Sequence, residues 1–373
     1  MNPLSTVYGA VARRRRRWYA SRPGARRRLG RPVISVGALA VGGSGKTPVA
    51  AHVAEILARA GERPAVLSRG YGRAARPAGV VVVRDPEGVR AGVAEAGDEP
   101  LMLAERLAGA CVLVCADRHR AGRLAEERFD ASVHVLDDGF QHLSLHRDVD
   151  LVVIGAGDAG ERRTLPAGRL REPPDAAALA DALIVESPSL ERAASVARRV
   201  GPAPVFRLAR RLGEPIPAPP TVPESPTAPG PPTAPEPTAS GLPTASDAPT
   251  TPGGAAGVPR GARVVVVAGI ARPAAFADDV RAAGYDVAAM LAFADHHRFS
   301  ARDVAGVARR ARELAADAVL TTEKDMVRLR PLAPFGVRVA PVPLRVGIEP
   351  AERFEGWLLD RLRASRRLRA EER

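Results

Sequence analysis

An α/β protein in two parts is the fold the sequence predicts, on three observations. From residue 32 to about 207, short aliphatic runs alternate with amphipathic stretches, the pattern of strands covered on both faces by helices. One run, VISVG, ends in a glycine-rich turn closing on Gly45-Lys46-Thr47. A proline-rich stretch then intervenes before strand and helix patterns resume at 263. Together these predict a P-loop NTPase-like core, a mostly parallel sheet with helices on both faces, followed by a second smaller α/β domain. The implied segments are 1–31, 32–212, 213–260, 261–349 and 350–373.

Residues 1–31 hold ten arginines and no acid, and so carry most of the net charge of +13. Leu4, Val7, Tyr8, Val11, Trp18 and Tyr19 flank Arg13 to Arg17, as in a short amphipathic helix lying in a headgroup layer. An anionic membrane surface is the expected partner; a solvated basic tail is the plainer alternative. No nucleic-acid partner is expected, because no recognisable nucleic-acid fold motif accompanies the arm. No apolar run approaches the roughly 18 residues of a transmembrane helix, and the arginines follow the apolar residues, the reverse of a signal peptide. The two cysteines, Cys111 and Cys115, alternate within CVLVC and read as strand core rather than as metal ligands or a disulfide.

In the core, strands are predicted at 33–36, 65–67, 80–83, 111–115, 133–136, 151–154, 182–185 and 205–206. The loop after the first comprises Ala40, Val41, Gly42, Gly43, Ser44, Gly45, Lys46 and Thr47. Its glycines permit positive φ and close approach of amide groups to phosphate oxygens. Lys46 is placed to reach the β- and γ-phosphates, and the Thr47 hydroxyl to ligate Mg²⁺. Ala40 stands where the general motif has glycine. Lys46 and Lys324 are the only lysines in an arginine-biased chain, so each is informative: a planar guanidinium does not replace a compact ammonium inside a phosphate-wrapping loop. Gln141 is likewise the only glutamine.

Strand 133–136 ends in Asp137 and Asp138, followed by GFQH. Carboxylates at a strand end beside a phosphate loop are what hydrated Mg²⁺ requires. Asp98 and Glu99 precede a predicted helix at 101–107, where one acid can cap the helix, or Asp98 can serve as a general base and Glu99 as a metal or water ligand; spacing does not choose. SRGYGR places Arg69, Tyr71 and Arg73, and LPAGRLREP places Arg169 and Arg171, on loops suited to an anionic substrate or simply to solvent.

Fifteen of the 35 prolines lie in 213–259 with hardly an aliphatic residue, which predicts a disordered, semi-extended linker. Beyond it, a strand of VVVVAGI is followed by helix 273–283, strand 287–291, helix 301–314, strand 318–321, a strand near 337–342 and a final basic helix, 350–368. The most polar cluster of this part is FADHHRF, whose His296 can orient a carboxylate of the facing domain, bind metal with His297, or sit in a helix-capping loop.

GGSGKTP, SRGYGR, GDEP, DDGFQH, LPAGRLREP, AGIARP, the DHH cluster and TTEKD occur in the order found in the tetraacyldisaccharide 4'-kinase family, membrane-associated kinases of lipid A synthesis, which the chain therefore resembles over roughly 8–212 and 263–344. The resemblance implies Mg²⁺-dependent transfer of the γ-phosphoryl group of ATP to the 4'-hydroxyl of tetraacyldisaccharide 1-phosphate, peripherally at the cytoplasmic face of the inner membrane. It implies Asp98 as catalytic base with His296 and Lys46. It also implies Thr47, Glu99, Asp137 and Asp138 around the metal, and Arg69, Tyr71, Arg73, Gln141, His142, Arg169 and Arg171 toward the substrate. No protein partner is implied. The chain departs from the family in Ala38 and Ala40, in its long proline-rich segment and in its arginine-rich start. A nucleotide-dependent switch or partner-binding ATPase is the rival reading of the loop taken alone.

Overall fold

The computed structural model describes residues 2–71, 73, 75, 79–216 and 257–372. Most of the segment predicted as a linker, 213–260, lies outside the described residues, as does Gly72 of SRGYGR.

Aliphatic strands stack into a ten-stranded sheet among the described residues. From edge to edge it runs Leu344–Glu349, Val205–Leu212, Ala182–Glu186, Val149–Ile154, Val33–Gly37, Val133–Asp137, Pro64–Ser68, Cys111–Val114, Val81–Asp85 and Gly88–Val89. Neighbours from Val205–Leu212 across to Cys111–Val114 are parallel, and only the outer strands run antiparallel. Val33–Gly37 is central and fully buried, with the Val133–Asp137 strand beside it, so the glycine turn and the paired acids emerge at the same carboxyl edge. The helix after the turn, Lys46–Arg59, buries Val49, Val53, Ile56 and Leu57 against the sheet.

Val264, Val266 and their neighbours centre a second, all-parallel sheet ordered Asp286–Ala292, Arg263–Ala268, Ala318–Thr322, Val339–Val342. Phe276, Ala277 and Val280 of helix Pro273–Ala282 cover one face. Val307 and Ala311 of helix Ala301–Glu313 cover the other.

The boundary predicted at 349 needs correction. Leu344–Glu349 is an edge strand of the large sheet, antiparallel to Val205–Leu212 with Leu344 opposite Leu212 and Glu349 opposite Arg207. The two strands form a ribbon by which the chain leaves the large domain and returns. Strand 205–206 also extends to Leu212, because an outlying strand tolerates Arg207, Arg210 and Arg211 where a central one does not. The final helix, Ala351–Glu371, belongs to the large domain too. Phe354, Leu358 and Leu362 enter its core, and Arg366 and Arg369 pair with Glu62 and Asp148 at 2.6 and 2.7 Å. These basic side chains are thereby drawn back onto the fold.

The domains also meet through helices Asp98–Arg106 and Glu323–Leu329, with Val327 entering the large core and Arg330 donating to Glu105 at 3.0 Å. Ribbon and helix pair frame a cleft of about 1010 Å³.

The N-terminal helix, Pro3–Ala20, starts with Asn2 Oδ1 accepting from the Leu4 amide at 3.0 Å. Gly9 approaches Pro173 and Thr164 closely, and Arg16 donates to both oxygens of Glu172 at 2.6 and 2.7 Å while stacking over the Phe140 ring. Leu4, Val7, Val11 and Trp18 remain exposed. Among the described residues no helix is long and apolar enough to cross a membrane.

Candidate active site

Gly42, Gly43 and Gly45 adopt φ of 69°, 55° and 81°, a left-handed run that side chains resist, and it curls the loop toward the start of helix Lys46–Arg59. Gly37 is required for closeness instead: a Cβ there would lie 2.4 Å from that of Phe140, so its absence lets the DDGFQ turn fold onto the central strand. The Thr47 hydroxyl lies 3.3 Å from both carboxylate oxygens of Asp137, and Lys46 Nζ lies 3.7 Å from Asp138. Arg171 donates to the other oxygen of Asp138 at 2.6 Å.

Acidic side chains crowd one another here. Burial first, then Glu99 and Asp138, push the Asp137 carboxyl up to about 7. Burial also opposes charge on Asp138, but Lys46 and Arg171 prevail and hold it below the usual carboxylate range. Asp138 Oδ1 is buried without a hydrogen-bond partner. Arg118, whose proton affinity falls to about 10 through burial and the nearby Arg69, lends positive charge from beneath.

The second domain supplies the opposite wall. His296, at φ 59°, reaches across so that its Nδ1 lies 2.8 Å from Oδ2 of the buried Asp98, whose Oδ1 accepts the Glu99 amide at 2.9 Å. Burial opposes the Asp98 charge, and His296, Lys324 and Arg328 outweigh it, keeping its carboxyl below the usual range. The hydrogen bond that His296 donates to Asp98 raises the proton affinity of the imidazole, against burial and Lys324. Lys324 Nζ sits 3.2 Å from Glu99, 3.3 Å from Asp295 and 3.2 Å from His296 Nε2. Arg328 donates to the carbonyls of His297 and Gly269 at 3.0 Å each and lies 3.6 Å from Asp98, bracing the loop. His297 makes no metal cluster with its neighbour: it pairs with Asp303 at 3.2 Å and stacks on Phe293.

Lys46, Thr47, Arg69, Tyr71, Glu99, Asp137, Asp138, Gln141, Arg171 and His296 thus line one cleft, with Val41, Gly42, Gly43, Ser44 and Gly45 at its floor. Five residues named from sequence stand apart from its lining, the first being Asp98, which is buried and meets the cleft through His296. Ala40 is buried and bridges Leu170. Arg73 donates to the Gly70 carbonyl, and Arg169 braces the phosphate loop from behind, donating to the Val41 and Gly42 carbonyls at 2.9 and 3.1 Å. His142 sits near Arg118 and Arg147, where burial and those charges lower its proton affinity to about 4. Arg272 lies within AGIARP but its sequence carries no sign of a role, and nothing marks Arg328 in so arginine-rich a chain; Arg272 donates to the Gly43 carbonyl at 2.6 Å from across the cleft. Lys324 is marked by its rarity and by its place in TTEKD.

A glycine loop between a central parallel strand and a helix, with a lysine, a hydroxyl and paired acids at the same sheet edge, defines a P-loop nucleotide-binding protein with a two-walled cleft. The family described as tetraacyldisaccharide-1-P 4'-kinase matches residues 1–363. The chain is 39% identical to a tetraacyldisaccharide 4'-kinase of Nitrobacter winogradskyi, over 98% of this chain and 94% of that one. It is 41% identical to one of Anaeromyxobacter dehalogenans, over 82% and 74%. Among solved structures, LpxK from Aquifex aeolicus in complex with ATP superposes with a TM-score of 0.70 at 26% identity, over 96% of this chain and 97% of that one. The chain belongs to the tetraacyldisaccharide-1-P 4'-kinase family.

Proposed function

We propose that this chain transfers the γ-phosphoryl group of ATP to the 4'-hydroxyl of tetraacyldisaccharide 1-phosphate. The observation that carries the reading is the 2.8 Å contact of the buried Asp98 with His296, which lines the cleft that also holds Lys46. Amide groups of the glycine loop and the Lys46 ammonium would hold the triphosphate, and Lys46 would follow the charge that builds on the transferred group. Thr47, Asp137 and Asp138 fit Mg²⁺: all offer oxygen, Asp138 Oδ1 lacks a hydrogen-bond partner, and Asp137 is crowded by other acids. Among the described residues no three His, Cys, Asp or Glu side chains could hold a metal alone, which suits an ion shared with phosphate oxygens. When bound, Mg²⁺ neutralises phosphate charge. Glu99 is engaged by Lys324, and we leave it out of the metal set.

Asp98 would accept the proton of the acceptor hydroxyl while His296 holds its carboxylate in place. A carboxyl below the ordinary range is a weak base, which matches a transfer governed by positioning and charge neutralisation. Tyr8, Val11, Ala12 and Arg15 of the N-terminal helix line the cleft mouth, while Leu4 and Val7 of the same helix stay exposed. A helix lying on the anionic cytoplasmic leaflet would therefore set the cleft beside its lipid substrate.

The test is incubation with γ-labelled ATP, Mg²⁺ and tetraacyldisaccharide 1-phosphate. Label should enter the lipid only when all three are present. Label released only as free phosphate overturns the reading and favours a switch ATPase.

A further inference from the structure

Lys324 is the second of two lysines in the chain, and the proposed transfer gives it no task. It leaves strand Ala318–Thr322 at the first turn of helix Glu323–Leu329, where the Thr322 hydroxyl accepts the Asp325 amide at 3.0 Å and anchors the turn. Three acceptors surround its Nζ: Glu99 Oε1 at 3.2 Å, Asp295 Oδ1 at 3.3 Å and His296 Nε2 at 3.2 Å. Burial disfavours its charge, but Glu99, Asp98 and Asp295 outweigh that and keep it an ammonium. An ammonium has three donors and no lone pair, so three acceptors use it completely.

The chemistry of the imidazole follows. Nε2 faces a group that only donates and must offer its lone pair, which leaves the ring proton on Nδ1, pointed at Asp98 Oδ2 2.8 Å away. The Tyr71 ring packs edge-on against the imidazole at 5.4 Å, and Arg328 reaches toward Asp98 from the helix that carries Lys324. Without the ammonium, Nε2 would face Asp295 Oδ1 at 3.8 Å, and an imidazole between two carboxylates carries a proton on each nitrogen.

We propose that Lys324 is a positioning residue that fixes His296 as the Nδ1–H tautomer, so that His296 donates a hydrogen bond to Asp98 and cannot store a proton at Nε2. Its consequence for turnover rests on the kinase reading above. The acceptor's O–H bond then breaks toward Asp98 alone, as its oxygen bonds the γ-phosphorus and the β–γ bridging P–O bond opens to release ADP.

The experiment uses the full chain labelled with ¹⁵N-histidine, with the His296 signals assigned by their loss in His296→Gln. Wild type should show a protonated Nδ1 and an unprotonated, hydrogen-bonded Nε2 near neutral pH. Lys324→Met should bring a proton to Nε2 and lower kcat at least about tenfold, with the KM for ATP within about twofold, since phosphate contacts lie on the other wall. Lys324→Arg, which keeps a donor-only cation, should restore the wild-type tautomer and part of kcat. A proton on Nε2 in wild type, a reading that needs no Lys324 variant, overturns the proposal; so does a Lys324→Met spectrum like that of wild type. Wild type that transfers no phosphate to lipid defeats the kinase reading and leaves the tautomer result standing, so the two failures are distinguishable.

Discussion

On the large-domain wall of the cleft, Asp137 is pushed up to about 7 by burial, Glu99 and Asp138, and Asp138 Oδ1 has no hydrogen-bond partner. On the second-domain wall, Lys324 meets Glu99, Asp295 and His296, while Arg328 meets Asp325 and two carbonyls and lies beside Asp98. The first wall leaves one carboxylate oxygen without a hydrogen bond and one carboxyl crowded by other acids; the second engages Lys324 and His296 fully, but does so through Glu99 and Asp98 of the first domain. A wall with a free carboxylate lone pair is suited to receive a cation and a triphosphate. A cross-paired wall holds one side chain in one geometry.

The largest expected effects fall at the phosphate loop and at the carboxylate where the two walls meet. Lys46→Ala and Asp98→Ala should each lower kcat on the order of 10³-fold, and near-normal turnover in Asp98→Ala would remove it as the base. His296→Ala should cost about a hundredfold in kcat if it holds the Asp98 carboxylate, measured in the labelled-lipid assay.

A smaller effect sharpens the contrast in charge. The folded state binds the Asp137 proton more tightly than the unfolded state, so the stability from this group is fully present below 3.8 and is lost as pH rises through about 7. Mg²⁺ bound there, as proposed, would offset that loss. Thermal melts should therefore rise more with Mg²⁺ at pH 8 than at pH 5, and Asp137→Asn should abolish the difference. Equal Mg²⁺ shifts at both pH values would place the cation elsewhere.

Weaker still is the contact that joins the walls. Arg330→Ala removes a partly exposed pair with Glu105 and should cost less than about 1 kcal/mol in urea unfolding. Least of all should turnover in detergent respond to Leu4→Asp with Val7→Asp, since both side chains are exposed and neither lines the cleft, whereas sedimentation with anionic vesicles should weaken. Unchanged vesicle binding would free the N-terminal helix from a membrane role.

Legibility differed between the walls for the same reason. Gly42 to Thr47 and Asp137-Asp138 are local: a strand, a tight turn and a helix start place them, and each can be read from a few consecutive residues. The second wall joins residues distant in the chain, and only helix 98–106 packing on helix 323–329 brings them together. Rarity singled out Lys324, but its three partners were invisible. Edge strand 344–349 was misread because its partner ends at Leu212, beyond any local pattern.

By itself, then, the sequence determined the parallel core, the phosphate loop, the paired carboxylates and the family, since these rest on apolar periodicity, on glycine's backbone freedom and on motifs in order. Tertiary structure alone decided that the final helix belongs to the first domain, that its arginines fold back into ion pairs, and that Lys324 joins Asp98 and His296 in one hydrogen-bond network. Hydrogen bonds and ion pairs act over about 3 Å. Chain order does not set distances on that scale, and packing does.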